Sequence, residues 1–349
     1  MKCTIQNIAD HLGLSRNTVS KALKNSSEVS ENTRNLVIKT ASKLGYKNAT
    51  FATPVIPASE TGSNGTILFL TRTYASDSEF WTTVLRGIES ILSNANYHLA
   101  ISIMSDSDLK QLNFPQTISD SSIKGIILVE ICDKVVCDAL SQFNLPIVSV
   151  DMPNVPFEEL NGIDVVTMES KKNLKKIINQ LIEKGAESFG FVGDLYSPNV
   201  SRGFQERYNA LSECLAEHQL PLNQKNCLLH QTPKDFRNFQ TTVNNLQAMI
   251  SLPDVFICGN DWTAIQLIYA LQFLGFQIPK DICVVGFDNI PAASRISPSL
   301  TTISTPQKYL GIAAARQILE RIQHPNCPHV FCQYETELII RNSTNITSF

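Results

Sequence analysis

Ile5, Ile8, Ala9 and Leu12 stand at i, i+3, i+4 and i+7, the spacing of one helix face. Gly13 breaks that pattern, and Ser15 offers a hydroxyl cap to a second helix whose inward positions are Val19, Ala22 and Leu23. Arg16, Asn17, Ser20 and Lys21 are left on the opposite side, two i,i+4 pairs on an exposed face. After the loop "NSSEVS", Ser30 caps a third helix with the stripe Leu36, Val37, Thr40, Ala41 and Leu44. Glu31 suits that helix's positive end, and Gly45 closes it. Three short helices with a tight glycine turn between the first two predict a helix-turn-helix, whose second helix enters the major groove of DNA.

The pattern then changes. "KNATFATPVIPASETGSNG" (47–65) reads as a linker, with two prolines among small polar residues. Beyond it, short β-branched runs predict strands: "TILFLT", "HLAISI", "GIILV", "PIVSVD", "SFGFVGD", "NCLLH", "VFICG" and "CVVGFD". Amphipathic helices such as "EFWTTVLRGIESIL", "KVVCDALSQF", "NLKKIINQLIEKG" and "DWTAIQLIYALQFLGF" separate most of them. Such alternation predicts parallel sheets covered by helices on both faces, and so many strands fit two layers better than one. Open α/β sheets bind ligands at the carboxyl ends of their strands. Polar groups stand there: Asp151, Asn260, Asp261 and Asp288.

Charge sharpens the division. Residues 1–50 hold eight cations against three anions, a net +5, leaving −8 for the rest of a chain whose total is −3. A basic head on an acidic body predicts a polyanionic partner for the head alone. Hydrophobic residues make up 43% and charged residues 17%, an ordinary soluble composition, with no apolar run near the ~20 residues of a membrane span. The N-terminus has no apolar signal-peptide core, and the nine scattered cysteines read as reduced, buried thiols, so the expected compartment is the cytoplasm. The six histidines show no metal spacing, and neither a metal nor a cofactor is expected.

The head's residue types suit DNA chemically. An arginine binds guanine O6/N7 bidentately and an asparagine binds adenine N6/N7, which makes Arg16, Asn17 and Lys21 the base-reading candidates. Thr4, Ser15, Ser20, Asn25 and Lys47 suit phosphate contacts, which position the module without reading sequence.

The stretch "TIQNIADHLGLSRNTVSKALKN…VSENTRNLVIKTASKLGY" resembles, nearly position by position, the headpiece of the lactose-repressor/galactose-repressor (LacI/GalR) family. The resemblance extends over the chain and is most specific in "VFICGNDWTAIQLIYALQFLGFQIPKDICVVGFDNIPAASRISPSLTTISTP"; "ETELIIRNST" looks like the family's last strand. It implies an α/β chain: an N-terminal three-helix helix-turn-helix DNA-binding domain (1–47), a linker (48–65), and a periplasmic-binding-protein-like effector domain (66–349). That effector domain would have two doubly wound parallel-sheet subdomains, about 66–160 with 298–323, and about 161–297 with 324–349. A sugar or other small polar effector would bind between them, and the protein would be a homodimer on double-stranded operator DNA.

Carried over residue by residue, the family's effector contacts fall on Arg207, Asn260, Asp288 and Asp151, with Phe80 and Trp81 as an aromatic lip and Phe236 as a further candidate. Around Arg207 the family's glycine and aromatic are replaced by Ala210 and Leu211. Carboxylates and amides exchange hydrogen bonds with hydroxyls, and an arginine fork holds two neighbouring oxygens. The linker departs further. Where relatives form a hinge helix with a leucine wedge, "KNATFATPVIP" has Pro54 and no such leucine, which predicts an extended tether, with Phe51 as a substitute wedge.

The function this implies is a ligand-responsive transcriptional regulator, a repressor, and not an enzyme. The competing reading is a cytoplasmic sugar-binding protein or enzyme on the same fold, its helical head serving protein contact. No G-x-S-x-G elbow, G-x-x-x-x-G-K-[ST] loop, H-E-x-x-H or G-x-G-x-x-G occurs, which weighs against the common enzyme classes. No heptad repeat follows "IIRNST", which favours a dimer over a tetramer.

Overall fold

The computed structural model describes residues 4–23, 29–30, 33–34, 36–37, 40–41, 63–72, 78–195, 200–230 and 238–346. The chain falls into two compact units, Met1–Gly62 and Ser63–Phe349. Asn25, Lys47, Phe236 and the would-be hinge stretch 49–55 lie outside the described residues.

In the first unit, α1 (Ile5–Leu12) starts at a capping box. The Thr4 amide donates to Asn7 Oδ1 at 2.9 Å, while the Asn7 amide donates to Thr4 Oγ1 at 3.3 Å. Gly13 ends the helix with φ +63°, the left-handed conformation that costs a glycine nothing. The Thr18 amide donates to Ser15 Oγ at 3.0 Å and opens α2 (Arg16–Leu23). Ser30 caps the third helical stretch in the same way, accepting from the Thr33 amide. Ile8, Ala9, Val19, Ala22, Val29, Val37 and Ala41 form one small core. Leu36 departs from its expected stripe: it is 51% exposed, and Val37, Thr40 and Ala41 face inward instead.

The second unit has two six-stranded sheets. The first contains β1 (Thr66–Thr71), β2 (His98–Ile103), β3 (Ile123–Val129), β4 (Ile147–Ser149), β5 (Ile163–Met168) and β11 (Phe331–Tyr334), in the order β11-β5-β4-β3-β1-β2. The second contains β6 (Phe189–Asp194), β7 (Leu228–His230), β8 (Val255–Cys258), β9 (Cys283–Asp288), β10 (Thr301–Ser304) and β12 (Glu337–Ile339), in the order β12-β10-β9-β8-β6-β7. Only β10–β12 is antiparallel among these pairs. Central strands such as β1, β3 and β9 are buried on both faces, so they read as unbroken apolar runs rather than alternating ones.

Between strands come α3 (Glu79–Leu92), α4 (Asp106–Gln111), α5 (Lys134–Ser141), α6 (Lys172–Glu183), α7 (Arg202–Glu217), α8 (Phe239–Gln247), α9 (Asp261–Phe273) and α10 (Gln307–Gln323). Helix α10 packs along α3, and the approach is close enough that a Cβ on Gly311 would meet the Val84 carbonyl at 2.0 Å. The chain crosses from one sheet's layer to the other after β5, before α10 and between β11 and β12.

These crossings correct the expected subdomain limits. Strands β5 and β11 belong to the first sheet, not to the layer of 161–297 with 324–349, and β10 belongs to the second, not with 298–323. The run "IDVVTM" of β5 is interrupted by Asp164, whose charge hides a buried strand. Asp164 is fully buried because Arg321 of α10 grips it with two bonds, Nε to Oδ2 at 3.0 Å and Nη2 to Oδ1 at 2.8 Å. Among the described residues no helix is long and apolar enough to cross a membrane.

Candidate functional site

On the first unit, the second helix presents Arg16 and Asn17 to solvent, with Ser20 and Lys21 half-buried beside them. Thr4 and Ser15 are exposed, and their hydroxyls hold the helix caps. The Thr4 hydroxyl also donates to Asn7 Oδ1 at 2.6 Å, and Ser15 Oγ lies 2.8 Å from Thr18 Oγ1, so the helix sets the orientation of both. The caps fix where α2 starts, and so fix which side chains lie in its first turn.

On the second unit, the expected effector residues converge where strands of both sheets end. Asp151 follows β4 by two residues, Asp288 is the last residue of β9, and Asn260 precedes α9. Arg207 lies on the second turn of α7. The two layers are tied beside Asp151: Pro153 pairs with Ser201, and the Arg202 amide donates to the Met152 carbonyl at 3.0 Å. That bridge places the start of α7, and with it Arg207, against the strand end that carries Asp151.

Arg207 is 3% exposed. Its Nη1 donates to the Gly259 carbonyl at 2.5 Å, and the guanidinium lies over the Phe287 ring, 3.6 Å from the centroid. Its Nε is buried without an acceptor among the described residues. Burial pulls its pKa down, and Asp288 and Asp151 oppose that pull. Such an arginine is a fork held ready for an acceptor that the described residues do not supply.

Asp288 is 9% exposed and has φ +118°, a strained conformation for a side-chain-bearing residue. Its carbonyl accepts from Gln307 Nε2 at 2.6 Å and from Thr305 Oγ1 at 3.2 Å, which holds that backbone in place. Its carboxylate accepts no hydrogen bond from the described residues. Burial pushes its pKa well above the carboxylate range, with Arg207 acting against burial and Asp261 and Asp151 adding to it. Asp151 accepts from the Met152 amide at 2.9 Å and from the Cys132 thiol at 3.6 Å. Burial raises it to about 6, against the Met152 amide and Arg207.

Asn260 caps α9: its Oδ1 accepts from the Thr263 amide at 2.9 Å and the Thr263 hydroxyl at 2.7 Å. The cap leaves Nδ2 as a donor with no partner among the described residues. Phe80 and Trp81 are not an exposed lip. They are 7% and 9% exposed, sit in the main core edge-to-face at 4.6 Å, and present only the indole edge to a polar group.

That polar group is Glu130, which the sequence reading missed. It directly follows β3, has φ +57°, and accepts from Trp81 Nε1 at 2.5 Å. An acid placed just after an apolar run, as Asp151 and Asp288 are, was the available signal. Asp261 is the converse case. It is fully buried and structural, accepting from the Ile290 amide at 2.9 Å and the Thr302 hydroxyl at 2.5 Å. Gly286 is required beside it, since a Cβ there would sit 2.2 Å from Asp261 Oδ1. Together the site offers carboxylate acceptors, an arginine fork and an amide donor. Groups of these kinds exchange hydrogen bonds with hydroxyls.

Two family models match the chain. Residues 4–48 match bacterial regulatory proteins of the lacI family, and residues 178–344 match the periplasmic binding protein-like domain. The HTH-type transcriptional repressor PurR of Photobacterium profundum is 26% identical over 345 residues, covering 97% of this chain and 98% of that protein. A transcriptional regulator CelR–cellobiose complex superposes with TM-score 0.69 at 19% identity, over 98% of this chain and 100% of that one. The Lac repressor dimer bound to operator and the anti-inducer ONPF superposes with TM-score 0.67 at 18% identity, over 99% of each chain. The helix-turn-helix head and the paired parallel sheets agree with these matches: the chain joins a lacI-family regulatory domain at residues 4–48 to a periplasmic binding protein-like domain at residues 178–344.

Proposed function

We propose that the chain is a ligand-responsive transcriptional repressor of the cytoplasm, whose operator affinity is set by a small sugar held between the two sheet layers. The observation that carries this reading is the pair Arg207 and Asp288. Each is nine-tenths buried or more, and the Arg207 Nε is buried with no acceptor among the described residues. Leaving that donor unpaired costs about 1–3 kcal/mol, a cost that a bound polyol would offset.

In this reading residues 1–47 are the DNA-binding head, 48–65 the tether and 66–349 the effector domain. Arg16, Asn17 and Lys21 read bases; Thr4, Ser15, Ser20, Asn25 and Lys47 hold phosphates. Arg207, Asp288, Asp151 and the Nδ2 of Asn260 bind the effector directly. Phe80 and Trp81 act as the packed wall behind it, and Phe236 is a further candidate contact. The protein performs no catalysis and needs no cofactor. The cellobiose complex of CelR supports a sugar, and the operator-bound Lac repressor dimer supports a homodimer on DNA. A dimer also accounts for Trp262, Tyr269 and Phe273, exposed together on α9.

The effector would act on the layer-spanning contacts, Arg202 amide to Met152 carbonyl and Ala292 amide to Glu79 carboxylate at 3.3 Å. A ligand that binds the closed arrangement more tightly shifts the layers toward it, and operator affinity follows by the same coupling energy. The test is a thermal-shift screen of sugars on the full chain, followed by operator titration with each hit. A sugar that raises the melting temperature and changes operator affinity is expected. A chain that binds DNA with no salt dependence, or whose operator affinity no binding sugar alters, would defeat the reading.

A further inference from the structure

We propose that Ser170 is a further effector contact, its hydroxyl forming with the Arg207 fork a subsite that selects for one particular hydroxyl of the sugar. The inference rests on the cleft of Arg207 and Asp288 being the effector site, and it adds to that site a residue from another element. Ser170 follows β5 by two residues, where the chain crosses from the first sheet layer to the second. It is 2% exposed, and its Oγ has no hydrogen-bond partner among the described residues. A Cβ on Gly203, in the first turn of α7, would lie 3.2 Å from Arg207 Nη2 and 3.6 Å from Ser170 Oγ. The hydroxyl and the guanidinium therefore flank one point, which the glycine leaves without a side chain.

No structural task accounts for the hydroxyl. A serine just before a helix ordinarily caps it. Here Glu169 does so: its Oε1 accepts from the Lys171 amide at 2.6 Å and the Lys172 amide at 2.8 Å, at the start of α6. The Glu169 amide donates to the Tyr334 carbonyl at 2.8 Å, which fixes the backbone on which Ser170 stands. A buried hydroxyl with nothing to bond costs stability that an alanine would not. The group across Gly203 has the same shortage, since Arg207 Nε is buried without an acceptor among the described residues. One sugar hydroxyl meets both needs. Arg207 only donates, so an oxygen that it holds must send its own hydrogen elsewhere. Ser170 Oγ accepts that hydrogen, and its own rotates freely toward a neighbouring ring oxygen. A ring carbon that lacks the hydroxyl leaves both groups unpaired again, which is how a buried polar site rejects a deoxy analogue.

The test uses sugars that differ by single hydroxyls, on the full chain, by calorimetry: D-ribose, D-glucose and D-galactose, each with its monodeoxy forms. The parent of at least one set should bind, and one of its deoxy forms should bind about tenfold or more weakly. Ser170→Ala should weaken the parent about tenfold and shrink the penalty at that one position, with the penalties at the other positions kept. Ser170→Thr, which keeps a hydroxyl, should bind the parent as wild type does. Without sugar, Ser170→Ala should melt at or above the wild-type temperature. A lower melting temperature would show that the hydroxyl is already bonded in the free protein, to an ordered water, and overturns the assignment. Unchanged affinity of Ser170→Ala for the parent also overturns it, while leaving a sugar effector at Arg207 standing. Binding by no member of any set overturns the sugar reading and the Ser170 assignment together. Should the added methyl of Ser170→Thr abolish the melting transition, the Ser170→Ala series decides by itself.

Discussion

Arg207 turns its guanidinium onto the face of Phe287, 3.6 Å from the ring centroid, instead of pairing directly with Asp288 at the end of the same strand. A ring contact holds the cation flat without consuming its hydrogens, so the fork stays available to a ligand. Phe287 is fully buried in β9, and Phe287→Leu removes the platform while keeping the site apolar. We expect the substitution to cost about 1–2 kcal/mol of stability and to weaken effector binding. Arg207→Lys should bind worse still, because a point charge neither stacks nor forks. Calorimetry on both variants checks this; a Lys variant that binds like wild type would remove the fork from the argument.

Asp288→Ala separates binding of effector from binding of DNA. The residue belongs to the Ser63–Phe349 unit, whereas Arg16 and Asn17 belong to the Met1–Gly62 unit. The variant should therefore keep operator affinity without effector and lose its response to the effector. Fluorescence anisotropy of a labelled operator, with and without the sugar that stabilises wild type, reads both quantities. An intact response would show that Asp288 is a backbone device, there for its carbonyl bonds to Gln307 and Thr305.

What the sequence disclosed depended on whether chemistry and period coincided. Ile8, Ala9, Val19 and Ala22 stand at helical spacing and are among the buried residues of the first unit. Asp151 and Asp288 were visible as acids closing apolar runs, whereas Arg207 was reached through family resemblance alone. Glu130 escaped because a left-handed φ at a glutamate has no sequence signature. Asn260 was read as a ligand contact, and its Oδ1 is the cap of α9, a role the same residue type fills in many helices. Strand β5 escaped because its buried charge is satisfied by Arg321, far away in sequence and on another element. Local patterns cannot disclose a partner that only the tertiary fold delivers.

Asp261 makes stability pH-dependent with a definite sign. Burial raises its pKa to about 6, against the Thr302 hydroxyl and the Ile290 amide. Between about 4, the value in an unfolded chain, and about 6 the folded protein holds a proton that the unfolded chain releases. Stability from this group is full below that window and falls as pH rises through it; Asp151 adds in the same direction. The lowered pKa values of Asp164 and Asp254 act oppositely, below pH 4. Asp261→Asn keeps an acceptor for Ile290 and a donor for Thr302, so it should fold, and its melting temperature should change less between pH 5 and pH 7. An unchanged pH slope would place the raised carboxyl elsewhere.

The exposed face of α9 should set the oligomeric state. Trp262, Tyr269 and Phe273 are 43%, 42% and 69% exposed, and their spacings of seven and four align them on one side of the helix. Aromatic anchors at the centre of an interface typically cost 2 kcal/mol or more when truncated, roughly thirtyfold in a dissociation constant. Trp262→Ala combined with Phe273→Ala should convert a dimer into monomers in sedimentation at micromolar concentration, with the melting transition kept. A variant that still sediments as a dimer would move the interface off α9.

Arg16→Ala tests base reading. Arg16 and Asn17 are exposed in the first turn of α2, a position fixed by the bond from the Thr18 amide to Ser15 Oγ at 3.0 Å. A bidentate arginine–guanine contact is worth about 1–3 kcal/mol of discrimination at one base pair, whereas a phosphate contact weakens all sequences alike. Arg16→Ala should therefore lose about tenfold to a hundredfold in operator affinity, relax one base position, and lose little on random DNA. The salt slope supplies the independent readout, because each lost phosphate contact lowers it by about one. Arg16→Ala should leave that slope nearly unchanged. Equal losses on operator and random DNA, with a slope reduced by about one, would assign Arg16 to the phosphate backbone and leave Asn17 and Lys21 as the readers.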